Sequence, residues 1–153
     1  MRERPGVQVP SGPPLFIVQL LTDSHIEEIF SKQNRCCRLK KRDVASLSTF
    51  SLVARDPDNG DLGVIVQSKF ACVGSVVPWA IAEVGAIATQ AWANVSYGPR
   101  GLDLLKEGKS ATETLDSLIT SDDGAEHRQI GVVDAKGQVA VHTGSECMDW
   151  AGH

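Results

Sequence analysis

Two runs of β-forming residues, Thr49-Phe50-Ser51-Leu52-Val53-Ala54-Arg55-Asp56 and Leu62 to Lys69, flank Asp58-Asn59-Gly60. This strand–turn–strand signal constrains the fold more than any other feature of the chain, because a short turn rich in Asn and Gly joins its strands antiparallel. A third strand is read over Val84 to Gln90, where small residues suit close approach by another backbone. Gly98 and Pro99 then open a helix that turns Leu102, Leu104 and Leu105 inward and stops at Gly108. Ser110 and Glu113 form a capping box for a second helix burying Leu115, Leu118 and Ile119. Strands return at Gln129 to Asp134 and Gln138 to Thr143, joined through Ala135-Lys136-Gly137. Strands, helices and strands linked by hairpins predict an antiparallel α+β layer structure and not a doubly wound parallel sheet.

These signals begin only near residue 48. Residues 1–47 hold 8 Lys and Arg against 5 Asp and Glu, and the remainder holds 7 against 14, so net charge passes from +3 to −7. The glycines divide 2 and 12 across the same boundary, and Pro5, Pro10, Pro13 and Pro14 break the first segment. Residues 1–47 therefore read as a poorly ordered extension with at most a short helix near residues 22–33, and residues 48–153 as one domain. Four readings of the extension stand side by side: a secretory signal, which Gln19 and the absence of an Ala-x-Ala site disfavour; a basic nucleic-acid-binding arm around Arg35 to Arg42; a removable pro-segment; and a translation start set too early.

The acidic body argues against a nucleic-acid partner, and no run of about 18 apolar residues occurs that would span a membrane. Cys36, Cys37, Cys72 and Cys147 give no C-x-x-C pair and no disulfide framework, which points to the cytoplasm. There is no phosphate-cradling glycine loop, and His142, Cys147 and His153 fit no zinc spacing, so no cofactor and no metal is expected. Trp79, Trp92 and Trp150 read as core.

Several motifs occur in one order: Thr49 to Asp56, Leu62-Gly63-Val64 to Val66-Gln67-Ser68-Lys69-Phe70, Val73-Gly74-Ser75-Val76-Val77-Pro78-Trp79-Ala80, Gly85 to Gln90, Ser96-Tyr97-Gly98-Pro99-Arg100-Gly101-Leu102, Arg128 to Asp134, and His142-Thr143-Gly144 to His153. Over nearly all of residues 49–153 this set closely resembles the domain of unknown function 1028 family. The resemblance implies an N-terminal nucleophile (Ntn) hydrolase fold, a four-layer αββα sandwich, with no established substrate. Family members commonly begin close to the residue matching Thr49 and continue well past the position matching His153, so a partial sandwich lacking its C-terminal part is expected here.

In an Ntn hydrolase the first residue attacks an amide carbonyl through its hydroxyl, and its own α-amine acts as general base. Thr49 is the candidate nucleophile. With a three-residue turn, Lys69 stands directly across from Thr49 and lowers the amine's proton affinity; with a two-residue turn the two side chains fall on opposite faces. The plain alternative is that Thr49 is only a β-branched strand residue and Lys69 a solvated strand end. Arg55, Thr89, Gln90, Asn94 and His142 are candidate substrate-binding residues; each also has a structural reading, as a strand-end ion pair, a loop hydrogen bond or a turn into the first helix. Three functions follow: an Ntn-type amidohydrolase acting on a small amide or peptide bond, a non-catalytic ligand-binding αββα domain, and an inactive truncated fragment. A homo-oligomer is compatible with all three.

Overall fold

The computed structural model describes residues 16–22, 47–147 and 151–153. Among them, strands β1 (Phe16–Thr22), β2 (Leu47–Arg55) and β3 (Leu62–Ser68) form one antiparallel sheet in that order. A second antiparallel sheet takes β4 (Pro78–Ile81), β5 (Gly85–Ala91), β6 (Arg128–Asp134) and β7 (Val139–Thr143), also in chain order. Helices α1 (Tyr97–Lys106) and α2 (Ala111–Thr120) connect β5 to β6.

Side-chain alternation along each strand sorts the residues into two cores. Val53 from β2 meets Val77, Ala86, Ala88 and Val133 between the sheets, with Leu62, Val64 and Val66 of β3 packed alongside. On its other face the second sheet presents Ile87, Ile130 and Val132 to Leu102, Leu105, Leu115 and Leu118 of the helices. The layers run sheet, sheet, helices, and the α+β reading holds. The far face of the first sheet carries Phe50, Leu52 and Ala54, each half-buried, and Ile65, which is 58% exposed.

Both helices begin as their local sequence dictates. In α1 Pro99 is the third helical residue, two positions beyond the expected start; it still lies in the first turn, where a missing N–H breaks no helical bond. Gly98 is required, since a Cβ there would collide with the Trp79 ring on β4. In α2 the Ser110 side chain accepts from Glu113 N while the Glu113 carboxylate accepts from Ser110 N, the capping box read from sequence.

Three expectations are corrected. Thr49 pairs with Ser68, not with Lys69. The turn is longer than either length considered: Asp56 and Asp61 are still joined by a backbone bond of 2.8 Å, leaving four residues at the tip, with Gly60 at φ +82°. Side-chain bonds from Asp58 N to Asp56 and from Asp61 N to Asn59, both 2.8 Å, close this wider turn. Lys69 follows the end of β3 and is exposed. Second, the extension is not without strands: Phe16–Thr22 lies alongside β2 from Phe16↔Val53 to Thr22↔Leu47, and β2 itself starts at Leu47. An apolar, β-forming run found the unpaired edge of β2, and such long-range pairing leaves no local sign in the sequence. The helix expected near residues 22–33, the basic cluster, Cys36, Cys37 and Trp150 lie outside the described residues. Third, β4 was not expected as a strand. It is a four-residue edge strand opening on Pro78, a position where proline costs no ladder bond.

Candidate functional site

Thr49 sits near the start of β2 with its side chain on the face turned toward the second sheet, the same face as Ser51 and Val53. Val53 marks the level, because a Cβ on Gly131 of β6 would stand 3.3 Å from its methyl group. One alternation step further along each strand brings Ser51 on β2 and Gln129 on β6; another brings Thr49 to the rim. Thr49 Oγ1 and Ser68 Oγ are 3.0 Å apart, and Ser68 Oγ also accepts from Phe70 N at 3.0 Å.

Opposite them a chain of neutral polar side chains crosses the second sheet. Gln90 on β5 faces Gln129 on β6, which faces Thr143 on β7. Gln90 Nε2 donates to Gln129 Oε1 at 3.1 Å; Gln129 Nε2 donates to Thr143 Oγ1 and to the Gly152 carbonyl, both at 2.9 Å. Thr143 Oγ1 lies 3.0 Å from His153 Nδ1, and since it already accepts from Gln129, its own proton is free to point at that nitrogen. Gln90 and Gln129 are buried, whereas Thr49, Ser68 and Thr143 are half-buried and His153 exposed. Ser51 Oγ is buried without a hydrogen-bond partner among the described residues.

Of the candidates taken from sequence, Thr49 and Gln90 come to this end of the inter-sheet space. Thr89 is the neighbour of Gln90, so alternation turns it to the helix side, where it is fully buried and pairs across the ladder with Ile130. His142 also faces the helices and bonds the Ala125 carbonyl at 3.0 Å through Nε2, so His142 and His153 do not converge. Arg55 lies six residues along β2 from Thr49, about 20 Å at strand rise. Its guanidinium runs between the two hairpin turns, close to Gly60 and Gly137. Ser51, Ser68, Gln129 and Thr143 were not singled out from sequence; the periods of β2, β3, β6 and β7 would have found them once the face shared with Val53 was known.

Asn94 belongs to a separate polar knot on the helix side of the same end. Asp122 accepts from Asn94 Nδ2 and Tyr97 OH at 2.9 Å, from Arg128 Nε at 3.1 Å and from Gly124 N at 2.8 Å. Arg128 also donates to the Trp92 carbonyl, next to Ala91, whose φ of +66° is left-handed. Burial pushes the Asp122 carboxyl up, but the bonds from Arg128, Asn94, Gly124 and Tyr97 outweigh it and hold the group far below the ordinary carboxylate range. Burial, and then the Asp122 carboxylate, hold the Tyr97 hydroxyl well above the usual phenol value. Neither sequence periodicity nor composition revealed Asp122 or Arg128 as partners.

Among the described residues no group of three His, Cys, Asp or Glu side chains is placed to hold a metal ion, and no helix is long and apolar enough to cross a membrane. No curated protein matches the chain. A crystal structure of a protein from Silicibacter pomeroyi, itself ascribed to DUF1028, superimposes with a TM-score of 0.66 at 32% identity, covering 70% of this chain and 47% of that one. The chain thus spans about half the length of that solved relative. Residues 49–153 match the family of unknown function DUF1028, and the chain belongs to that family.

Proposed function

We propose that this domain is the first part of an Ntn-type αββα amidohydrolase in which Thr49, once it is the first residue, is the nucleophile for a small amide or peptide bond. The observation that carries the reading is the Thr49 Oγ1 to Ser68 Oγ hydrogen bond of 3.0 Å at the rim between the two sheets. A terminal threonine there has its hydroxyl held by a neighbour and its α-amine, with a pKa of about 7.7–8.0, available as general base. In the reaction Oγ adds to the substrate carbonyl and its proton passes to the amine. Collapse expels the substrate's nitrogen as an amine carrying that proton, and water then hydrolyses the ester. Register pairs Thr49 with Ser68 and not with Lys69, which supports Ser68 as the residue that orients the hydroxyl.

The same chemistry can release the preceding segment. Thr49 Oγ attacks the Ser48 carbonyl carbon, the C–N bond breaks with a proton going to the new amine, and water opens the ester to leave a carboxylate on Ser48. A second reading, a non-catalytic ligand-binding domain, is favoured by one observation: the Thr49 N–H is here an amide within β2, with Leu47 and Ser48 ahead of it in the same strand.

Intact-mass measurement and N-terminal sequencing of the protein from its own host test processing, with a first residue of Thr49 expected. Thr49→Ala should keep residues 1–48 attached, while Thr49→Ser retains cleavage. A β-lactone electrophile should label Thr49 in the processed protein. If a processed chain of the solved relative's length is neither labelled nor active on a broad amide panel, the binding-domain reading replaces this one.

A further inference from the structure

At the end of the molecule away from Thr49, the β4–β5 turn, the α1–α2 loop and the β6–β7 turn border an open-sided pocket of about 240 Å³. Its charged lining is Glu83, Lys106, Lys109, Asp134 and Lys136, with Leu105 among the apolar wall residues. Such a volume holds roughly eight waters. It falls below the roughly 300 Å³ at which drug-sized sites begin, so it suits a metabolite of only a few heavy atoms.

Of these charges Asp134 alone is buried; Glu83, Lys106 and Lys136 are exposed and Lys109 is half-buried. Asp134 is 5% exposed and forms part of the floor. Its Oδ1 accepts from the Lys136 and Gln138 backbone N–H groups, both at 2.9 Å, but Oδ2 accepts only one long bond, 3.4 Å from Ala111 N. No cation pairs with Asp134 among the described residues, so its charge is met there by backbone amides alone. Around the rim, Lys106 makes only an exposed pair with Asp103 at 3.4 Å, worth little. Lys109 rests on the neutral Ser117 hydroxyl at 3.2 Å, and the exposed Lys136 ammonium has no partner among the described residues. At the start of α2 the Ser110, Ala111 and Glu113 amides are already taken, by the Glu113 carboxylate, Asp134 Oδ2 and the Ser110 hydroxyl.

We infer that this pocket binds a small zwitterion of the α-amino-acid class, its ammonium group toward Asp134 and Glu83 and its carboxylate toward Lys106, Lys109 and Lys136. A phosphate or a simple carboxylate would satisfy the lysines but set a second negative charge against Asp134. An amine alone would satisfy Asp134 and meet three like charges. A ligand carrying both signs meets the carboxylate and the lysines together. The site is independent of the Thr49 chemistry.

The full chain, labelled with ¹⁵N, is titrated with L-alanine, propionate, ethylamine and inorganic phosphate. L-alanine should give saturable shifts at the amides of Val84, Ala111 and Lys136, and each of the other three should bind at least tenfold more weakly. Lys106→Gln with Lys136→Gln, two exposed changes, should weaken L-alanine at least fivefold with an unchanged melting temperature. Asp134→Asn, which keeps an Oδ1 acceptor for the turn, should do the same, provided its spectrum retains the native pattern. Equal binding of propionate or phosphate, an absence of saturable shifts, or insensitivity to the double lysine change would each overturn the inference.

Discussion

At the residue scale the most consequential side chain is Asp122. Its carboxylate ties the loop after β5, the start of α1, the turn after α2 and the first residue of β6 into one knot. Asp122→Ala leaves Tyr97 OH and Arg128 Nε without their acceptor in a mostly buried setting, and should cost about 2–4 kcal/mol in urea unfolding. The pH dependence has a definite sign. Because the folded carboxyl lies below its unfolded value of about 3.9, its contribution is complete above that pH and is lost as pH falls from there toward the folded value. Glu113 and Glu126, both lowered first by backbone hydrogen bonds from Ser110 and Ser145, act in the same direction. Urea midpoints measured between pH 6 and pH 3 should therefore fall below about pH 4, and Asp122→Asn should flatten that fall. A slope unchanged by Asp122→Asn would place the acid sensitivity elsewhere.

At the element scale two helix starts invite direct tests. Ser110→Ala removes the hydroxyl half of the capping box, leaving the Glu113 carboxylate on the backbone N–H of residue 110, and should destabilise by about 1 kcal/mol, visible as a lower thermal midpoint. Gly98→Ala forces a methyl into the Trp79 ring and should cost about 1–3 kcal/mol, with near-ultraviolet dichroism reporting a displaced indole. The paired change Gly98→Ala with Trp79→Leu should recover part of the loss if the clash is the cause. The capping box was legible because its two residues act across three positions, and seven of the domain's eight strands and helices were read from local pattern alone. Register was not legible. Whether Thr49 faced Lys69 or Ser68 depended on a turn whose width is set by side-chain bonds among Asp56, Asn59 and Asp61, and those bonds do not differ in composition from the ones a tighter turn would use. β4 escaped because four residues opening on proline carry too little periodicity to read.

At the scale of the whole molecule the two faces of the first sheet differ in kind. One is sealed against the second sheet through Val53, Val64 and Val66; the other presents Phe50, Leu52, Ala54 and Ile65. Ile65→Thr keeps a β-branched residue in β3 and removes exposed apolar surface, so it should leave the unfolding midpoint within about 0.5 kcal/mol while lowering light scattering in concentrated solution. A large loss of stability would mean that Ile65 is covered in solution. The candidate site was only half legible at this scale. Thr49 and Gln90 could be named from their own strands, but that they share a rim with Gln129 and Thr143, and that Thr89, His142 and Arg55 do not, follows from which sheet face packs on which.

The Asp122 knot also fixes how protons can be handled at that end of the molecule. Across the physiological range Asp122 stays ionised, held so chiefly by Arg128, and Tyr97 stays protonated, held so first by burial and then by Asp122. Two groups that elsewhere serve as acid or base are thereby withdrawn from exchange, and the polar row behind Thr49, made of hydroxyls and carboxamides, has no titration near neutrality to replace them. On the proposed reading of Thr49, a proton leaving its hydroxyl finds no acid–base partner in that row, and an α-amine on Thr49 itself would supply one. Cutting the chain before Thr49 would therefore create, in a single event, a base that the row of hydroxyls and carboxamides does not contain.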